Sequence, residues 1–364
     1  MAALAEHAVS RSARATVALG AKVALRRAQS EDRQRVYEWL TQSDLAQSQF
    51  GLPLFPERPR PTFEAFNEEY PVHCFDGTLP FEGRMLIICV GDQDVGFLGY
   101  RRIHLRVDVV EIELALASQR LCSHGYGSEA IQLACEWLQD AYGVNRFVVR
   151  PSRRNVRALR AMRRAGFRES DLASTAVGRA LGLSQPRYTD ELLLFRMLPL
   201  PRSSLRPLEG TTYVFIDSEF TDLETPHLIS VGAVATDSTA FYCEISDWPQ
   251  ERSSDFVRQH VLPLLDGDAV PQIVAADAFA RWLGERARRA PTIIVSDSGF
   301  DRWALAELFG GETLPYGAQW QRVAVAYETL DEKVTELGLR RHHALDDARA
   351  LRHILIDEEA LEHR

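Results

Sequence analysis

The run Tyr213-Val214-Phe215-Ile216 ends in two carboxylates, Asp217 and Glu219, and this juxtaposition constrains the chain more than any other stretch of it. β-Branched and aromatic residues in a short unbroken series predict a buried strand. Residues two apart on a strand share a face, so Asp217 and Glu219 point together at its end. Carboxylates held side by side raise one another's pKa unless a positive charge sits between them. A hard divalent cation such as Mg²⁺ or Mn²⁺ suits carboxylate oxygens and supplies that charge. A strand that merely ends in a solvated acidic turn is the other reading of these eight residues.

The chain has 364 residues, long for one domain and comfortable for two at ~100–200 residues each. Pro199, Pro201, Ser203, Ser204 and Pro207 fall between two periodic regions and predict a linker over 199–210. Charge divides across it. Residues 1–205 carry 27 Lys and Arg against 23 Asp and Glu, and residues 206–364 carry 15 against 28, a net of +4 against −13. An acidic second half is a poor broad electrostatic surface for nucleic acid, so any such chemistry there must rely on metal ions and a local groove. No apolar run approaches the ~18 residues of a membrane helix. Cys74, Cys89, Cys122, Cys135 and Cys243 are scattered and odd in number, which reads as reduced thiols in a cytoplasmic protein. Met1–Ala21 is rich in Ala, Arg and Ser, like a transit peptide, and is read as an N-terminal extension.

In the first half, strands are expected at Val23–Leu25, Met85–Val90, Val95–Tyr100, Val109–Leu116 and Arg146–Arg150. Ser30 with Glu31 and Asp32 predicts a helix N-terminus, continued by Val36, Trp39 and Leu40, and Gly51–Pro61, with four prolines, must be loop. Glu111 and Glu113 share one strand face. Cys122-Ser123-His124-Gly125-Tyr126-Gly127-Ser128 then opens a helical pattern through Ile131, Ala134, Leu138 and Ala141. A glycine loop at a helix N-terminus is an anion site, because unpaired N–H groups face the ligand and glycine lets the backbone come close. A second helix runs from Asn155 to Ala165-Gly166-Phe167.

This order resembles the GNAT family of N-acetyltransferases. Gly125 and Gly127 match the glycines of its R/Q-x-x-G-x-G/A pyrophosphate loop, and Asn155, Ala158, Gly166 and Phe167 match its later N-x-x-A…G-F motif. The resemblance covers roughly residues 22–198. It implies that acetyl-CoA binds at Ser123, His124, Gly125, Tyr126, Gly127, Ser128 and Asn155, with Glu111 or Glu113 as base for an acceptor amine. Cys122 stands where the family has Arg or Gln. Met162 stands where a tyrosine commonly protonates the departing thiolate; Tyr188 is an alternative donor.

In the second half, Leu228–Ala235, Ala240–Ile245 and Thr292–Ser296 read as strands, and Phe256–Leu265 and Ala275–Arg289 as helices. The motifs resemble the DEDDh 3′–5′ exonucleases over residues 211–357. D-x-E is Asp217 and Glu219, aromatic-Asp is Phe300-Asp301, and H-x-A-x-x-D-A is His342, Ala344, Asp347 and Ala348. The resemblance implies a ribonuclease H-like fold and two divalent ions, Mg²⁺ or Mn²⁺, on Asp217, Glu219, Asp301 and Asp347. Neutral His342 suits the base. Asp297 is placed behind the ligands, near substrate, and Phe220 and Thr221 beside the terminal nucleotide, with core filling as the other role of Phe220.

The expected fold class is therefore α/β with mixed sheets: a GNAT unit over 22–198, a linker over 199–210 and a ribonuclease H-like unit over 211–358. The expected activities are 3′–5′ exonuclease on single-stranded or 3′-overhang RNA, with DNA as runner-up, and N-acetyltransferase. An exonuclease whose first unit only binds acetyl-CoA is the alternative. In the last helix Leu345, Ala348, Leu351 and Leu355 define the buried face. That spacing turns Asp347 inward and Asp346 towards solvent.

Overall fold

The computed structural model describes residues 16–46, 60–105, 108–170, 188–200, 205 and 208–357. The chain divides into two compact units, Met1–Gln139 with Val144–Leu198, and Asp140–Gly143 with Pro199–Arg364. Among the described residues no helix is long and apolar enough to cross a membrane.

The first unit is built on one eight-stranded mixed sheet. β1 (Thr16–Leu19), β2 (Ala24–Arg27), β3 (Gly83–Val90), β4 (Gln93–His104) and β5 (Val109–Leu116) are successive antiparallel neighbours. β6 (Arg146–Val149) joins β5 in parallel, and β7 (Arg168–Glu169) and β8 (Leu194–Met197) close the sheet in the order β6-β8-β7. β1 corrects the reading of residues 1–21 as an extension: Thr16–Leu19 pair with Ala24–Arg26, because the strand edge of β2 is otherwise open. Helices α1 (Asp32–Gln42), α2 (Phe63–Glu69) and α3 (His73–Asp76) cover the sheet. Val36, Leu40, Phe66 and Phe75 pack there against Met85, Ile87 and Phe97. α4 (Tyr126–Tyr142) buries Ala130, Ile131, Ala134 and Leu138 at the helical spacing, and α5 (Val156–Arg164) follows β6. Most of the expected loop Gly51–Pro61 lies outside the described residues.

One irregularity in this sheet matters for chemistry. β5 and β6 pair only over Val109↔Arg146, Val110↔Phe147 and Glu111↔Val148, yet β5 runs on to Leu116. Past Glu111 the two strands have no ladder between them, and a cleft opens there.

The second unit has a six-stranded sheet in the order β12-β11-β10-β9-β13-β14. β9 (Thr212–Phe220), β10 (Leu228–Ala235) and β11 (Ala240–Ile245) form an antiparallel meander. β12 (Ala269–Val270) is parallel to β11, β13 (Thr292–Ser296) to β9, and β14 (Gln319–Arg322) to β13. Both faces are covered, as the unbroken apolar run of β9 requires. Val214 and Ile216 pack with α7 (Gln272–Ala287) and α8 (Gly299–Phe309), after the short α6 (Asp255–His260). Tyr213 and Phe215 pack on the other face with α9 (Tyr327–Glu336) and α10 (Ala344–Arg352).

The helix expected over Phe256–Leu265 breaks after His260 into a single 3₁₀ turn, Leu262–Leu264, where Pro263 has no N–H to give. β14 and α9 were not anticipated, since QWQR is polar and YETLDEKVTE weakly periodic. Of the expected linker, residues 201–204 and 206–207 lie outside the described residues. Leu205 is only 1% exposed and packs with Tyr213 and Phe215, so that residue belongs to the core of the second unit.

α10 crosses β10 at Gly232, which pairs with Asp217 in the ladder. A Cβ at Gly232 would lie 2.2 Å from the Leu345 backbone nitrogen and 2.3 Å from the Ala344 carbonyl carbon. Backbone cannot rotate aside, so Gly232→Ala is expected to destabilise the protein by about 1–3 kcal/mol, the usual range for overpacking. Urea unfolding of the two proteins checks this; an unchanged midpoint would contradict the packing of α10.

Candidate active sites

In the first unit, the parting of β5 and β6 opens into a cavity of about 360 Å³. β5 contributes Glu111–Leu116, the loop contributes Ser123, Gly125, Tyr126, Gly127 and Ser128, and α5 contributes Ala158, Ala161 and Met162. Gly125 has φ +88°, a conformation that only glycine adopts without strain. Gly127 has an ordinary φ, and a Cβ there would lie 3.5 Å from Leu114, a normal contact. Gly125 is thus the glycine the loop's backbone requires. The loop leads into the N-terminus of a 17-residue helix, where free N–H groups and the helix dipole favour an anion.

Three sequence expectations change here. His124 does not line the cavity: it is exposed, stacks on Tyr126 at 5.4 Å, and its carbonyl accepts from Lys22 Nζ at 3.1 Å. Asn155 lines the cavity, but its Oδ1 accepts from Ala158 N at 3.1 Å and so caps α5. Glu111 is no base. Arg150 holds it with Nε at 2.7 Å from Oε1 and Nη2 at 3.2 Å from Oε2, and the pair is buried. Its strand neighbour on the same face, Glu113, lines the cavity with Arg101 Nη2 at 3.6 Å. Met162 and Tyr188 also line it. Glu111→Gln is expected to cost about 3 kcal/mol, the low end for breaking a buried pair, because Glu191 still reaches Arg150 at 3.4 Å. Calorimetric melting checks this; a loss below the error of the scan would sink the assignment.

In the second unit, two groups of side chains converge at the end of β9. Glu219, His342 and Asp347 bring ligand atoms within 4.8 Å of one another, as do Asp217, Asp297 and Asp301. The alternation of β9 turns Asp217 and Glu219 to the face covered by α10, whose first turn carries Asp347. Asp301 comes from the first turn of α8, and Ser218 Oγ donates to its Oδ1 at 2.7 Å. Asp297, expected to stand behind the ligands, stands among them, because β13 runs parallel beside β9 and ends at the same level.

Burial, then repulsion from Asp301, Asp347 and Glu219, pushes the Asp217 carboxyl well above its ordinary range. Burial and Asp347 raise Glu219, and burial and Asp297 raise Asp301. Burial raises Asp347 less far, because the Arg341 guanidinium opposes it. Asp301 Oδ2 and Asp347 Oδ1 are buried and accept no hydrogen bond. Orphaned carboxylate oxygens among clustered acids fit a hard divalent cation such as Mg²⁺ or Mn²⁺.

His342 lies at φ +67°, and its backbone N–H donates to Asp347 Oδ2 at 3.0 Å. Burial, then the charge of Arg341, lowers its pKa. The Phe256 ring meets it edge-on at 5.0 Å. His343 is buried beside Asp346 and Asp266, whose carboxylates lie 3.6 and 3.8 Å from its ring nitrogens, and it stacks on Tyr242 at 4.5 Å.

Two more expectations are corrected. Thr221 is fully buried; its Oγ1 accepts from His227 N at 3.0 Å, so it braces the β9–β10 connection and cannot meet a nucleotide. Phe220 is half-buried, stacking on Phe300 at 4.7 Å with Trp303 edge-on. Asp346 does not face solvent. Arg340 Nε at 2.7 Å and Arg349 Nη1 at 2.8 Å hold it, and Arg340 also reaches Leu264 O and Asp266. The segment before α10 folds back over that helical position. Burial opposes its ionisation, but the Arg340 hydrogen bonds win and hold its pKa below the usual value.

Asp346→Asn is accordingly expected to cost about 1–3 kcal/mol, as for a buried partner lost from a charged hydrogen bond, while thermal stabilisation by Mn²⁺ persists. Asp347→Asn is expected to lose most of the Mn²⁺-induced shift. Melting curves with and without Mn²⁺ separate the two; the reverse pattern would show the wrong acid on the metal.

Residues 22–168 match the family model described as Acetyltransferase (GNAT) domain. The match covers less than half of the chain and makes that stretch of the first unit a GNAT domain. No curated protein matches the chain. Among solved structures the chain is similar to an aminoglycoside acetyltransferase in complex with coenzyme A, at 19% identity over 48% of this chain and 94% of that one, with a TM-score of 0.38. It is similar to spermidine N-acetyltransferase from Vibrio cholerae in complex with coenzyme A and spermine, at 14% identity over 49% and 96%, with a TM-score of 0.37. A GNAT-family acetyltransferase from Bacillus anthracis aligns at 15% identity over 50% and 97%, with a TM-score of 0.36. The family match ends at residue 168 and does not reach residues 199–364.

Proposed function

We propose that the chain joins an acetyl-CoA-dependent N-acetyltransferase, residues 22–198, to a metal-dependent 3′–5′ exonuclease of ribonuclease H-like fold, residues 211–358, acting on single-stranded or 3′-overhang RNA. The observation that carries the nuclease is the meeting of Asp217, Glu219, Asp301 and Asp347, with His342, at one strand end. A pair of divalent ions bound there would supply charge neutralisation and nucleophile activation for phosphodiester hydrolysis. His342 would take the proton of the attacking water as its oxygen bonds to phosphorus and the bond to the 3′-oxygen breaks, the leaving 3′-hydroxyl gaining its proton from solvent. Asp297 adds a further acid to this set. Phe220, on its Phe300 stack, offers a surface for a terminal base.

For the transferase, the cleft past Glu111 would take the pantetheine arm and the loop from Ser123 to Ser128 the pyrophosphate. Glu113 would receive the proton of the acceptor amine as its nitrogen bonds to the acetyl carbonyl carbon, and the carbon–sulfur bond would then break, the departing thiolate of coenzyme A taking a proton from Tyr188 or from solvent. Met162 in the cavity wall favours the alternative that this unit binds acetyl-CoA without transferring the acetyl group; Tyr188 in the same wall favours transfer.

RNA and DNA oligonucleotides with Mg²⁺ or Mn²⁺, with and without acetyl-CoA, test both units. Shortening from the 3′ end, lost with EDTA, is expected, and RNA is expected to be cut faster. Faster digestion of DNA would overturn the RNA preference, and no digestion of either would overturn the nuclease. Calorimetry with acetyl-CoA is expected to show binding that Gly125→Val, strained at φ +88°, removes. No binding to the unaltered protein would end both readings of the first unit.

A further inference from the structure

Arg341 lies where the sequence motifs assign nothing. Its Nη1 donates to Asp347 Oδ2, the oxygen that also accepts from the His342 backbone N–H. Its Nε donates to Asp331 Oδ1 at 2.5 Å, and its guanidinium lies 4.8 Å from the centre of the Tyr327 ring. The Asp347 side chain is 1% exposed and that of Asp331 42%, so the guanidinium bridges from the buried carboxylates to the surface. Its charge opposes the raised pKa values of Glu219, Asp297 and Asp347 alike.

A divalent ion held by Glu219, His342 and Asp347 needs the lone pairs of Asp347, and Arg341 already occupies one of that residue's oxygens. Asp347 Oδ1 has no donor, and a divalent ion there and the guanidinium on Oδ2 repel each other across the one carboxylate. Asp331 and Tyr327 give the guanidinium a second place to rest, at the rim, when it leaves Asp347.

We propose that Arg341 is an internal counter-ion that competes with the divalent ion for Asp347, so that metal loading moves its guanidinium off Asp347 while Asp331 and Tyr327 retain it. This rests on the divalent-metal reading of the same cluster. Arg341 is a positioning residue in this role: it holds the carboxylates together before the metal arrives and then yields one of them.

The test is Mn²⁺ binding to the full chain at pH 8 without nucleic acid, followed by the electron paramagnetic resonance of free Mn²⁺. Arg341→Met is expected to tighten binding about tenfold, and Arg341→Lys, which keeps the charge but not the fork, about threefold. Asp331→Asn is expected to weaken binding about threefold, because the guanidinium then loses its outer anchor. In the double variant Arg341→Met with Asp331→Asn, that weakening should disappear, as coupling through Arg341 demands. Unchanged or weaker binding in Arg341→Met overturns the inference, and if that variant fails to fold, unchanged binding in Arg341→Lys does so. An unaltered protein that binds no Mn²⁺ overturns the metal reading itself.

Discussion

The gathering of acids in the second unit depends on a close approach of backbone to backbone. Gly232 sits opposite Asp217 in the β9–β10 ladder, and the first turn of α10 lies directly against it. With no Cβ in the way, the helix comes low enough for Asp347 to share the end of β9 with Asp217 and Glu219. The preceding residue pair then falls into place. His342 takes a left-handed backbone conformation, its N–H meets Asp347, and its ring turns towards Glu219. A non-glycine residue at φ +67° is costly, and it persists because the helix behind it is pinned.

Bringing acids together at a buried strand end works against stability. Each raised carboxyl is a group whose ionisation the fold resists. What offsets this is apolar packing on both faces of the sheet, with Val214 and Ile216 on one side and Tyr213 and Phe215 on the other. The polar compensation is partial: the Ser218 hydroxyl on Asp301, and the His342 N–H with Arg341 on Asp347. The oxygens left without a donor are those a metal ion would use. Buried carboxylate oxygens without a donor depart from the usual pairing of buried polar groups, and they add to the cost of this cluster.

Period-two and period-3.6 patterns carried most of the second unit. The alternation of β9 fixed which face Asp217 and Glu219 share, and helical spacing turned Asp347 inward. Both are properties of one element and its own sequence. The failures come from neighbours distant in sequence. Asp346 was assigned to solvent because a helical wheel does not include Arg340 folding back over it. Thr221 was assigned to substrate because its bond to His227 is made by a turn the pattern does not describe. Asp297 needed the parallel register of β13 beside β9 before its place among the acids was visible. Arg341 had a local signal, an arginine directly before His342, but its partner Asp331 lies on α9, a helix the sequence did not reveal.

In the first unit the same lesson has a positive side. Glu111 and Glu113 share a face of β5 and look equivalent in sequence, yet the end of the β5–β6 ladder divides their roles. Glu111 is the last residue of β5 paired to β6, and Arg150 follows the end of β6. Their buried, two-pronged ion pair ties the strands where they part. Beyond it the ladder cannot continue, and the cavity begins. The Glu111–Arg150 pair thus marks the vertex of the cleft. Glu113, two residues further along, faces the cavity that this clamp creates, and the glycine loop with φ +88° at Gly125 closes it from the opposite end. The clamp sets where the strands diverge, and the glycine loop brings the N-terminus of α4 to the wall of the cavity that opens there.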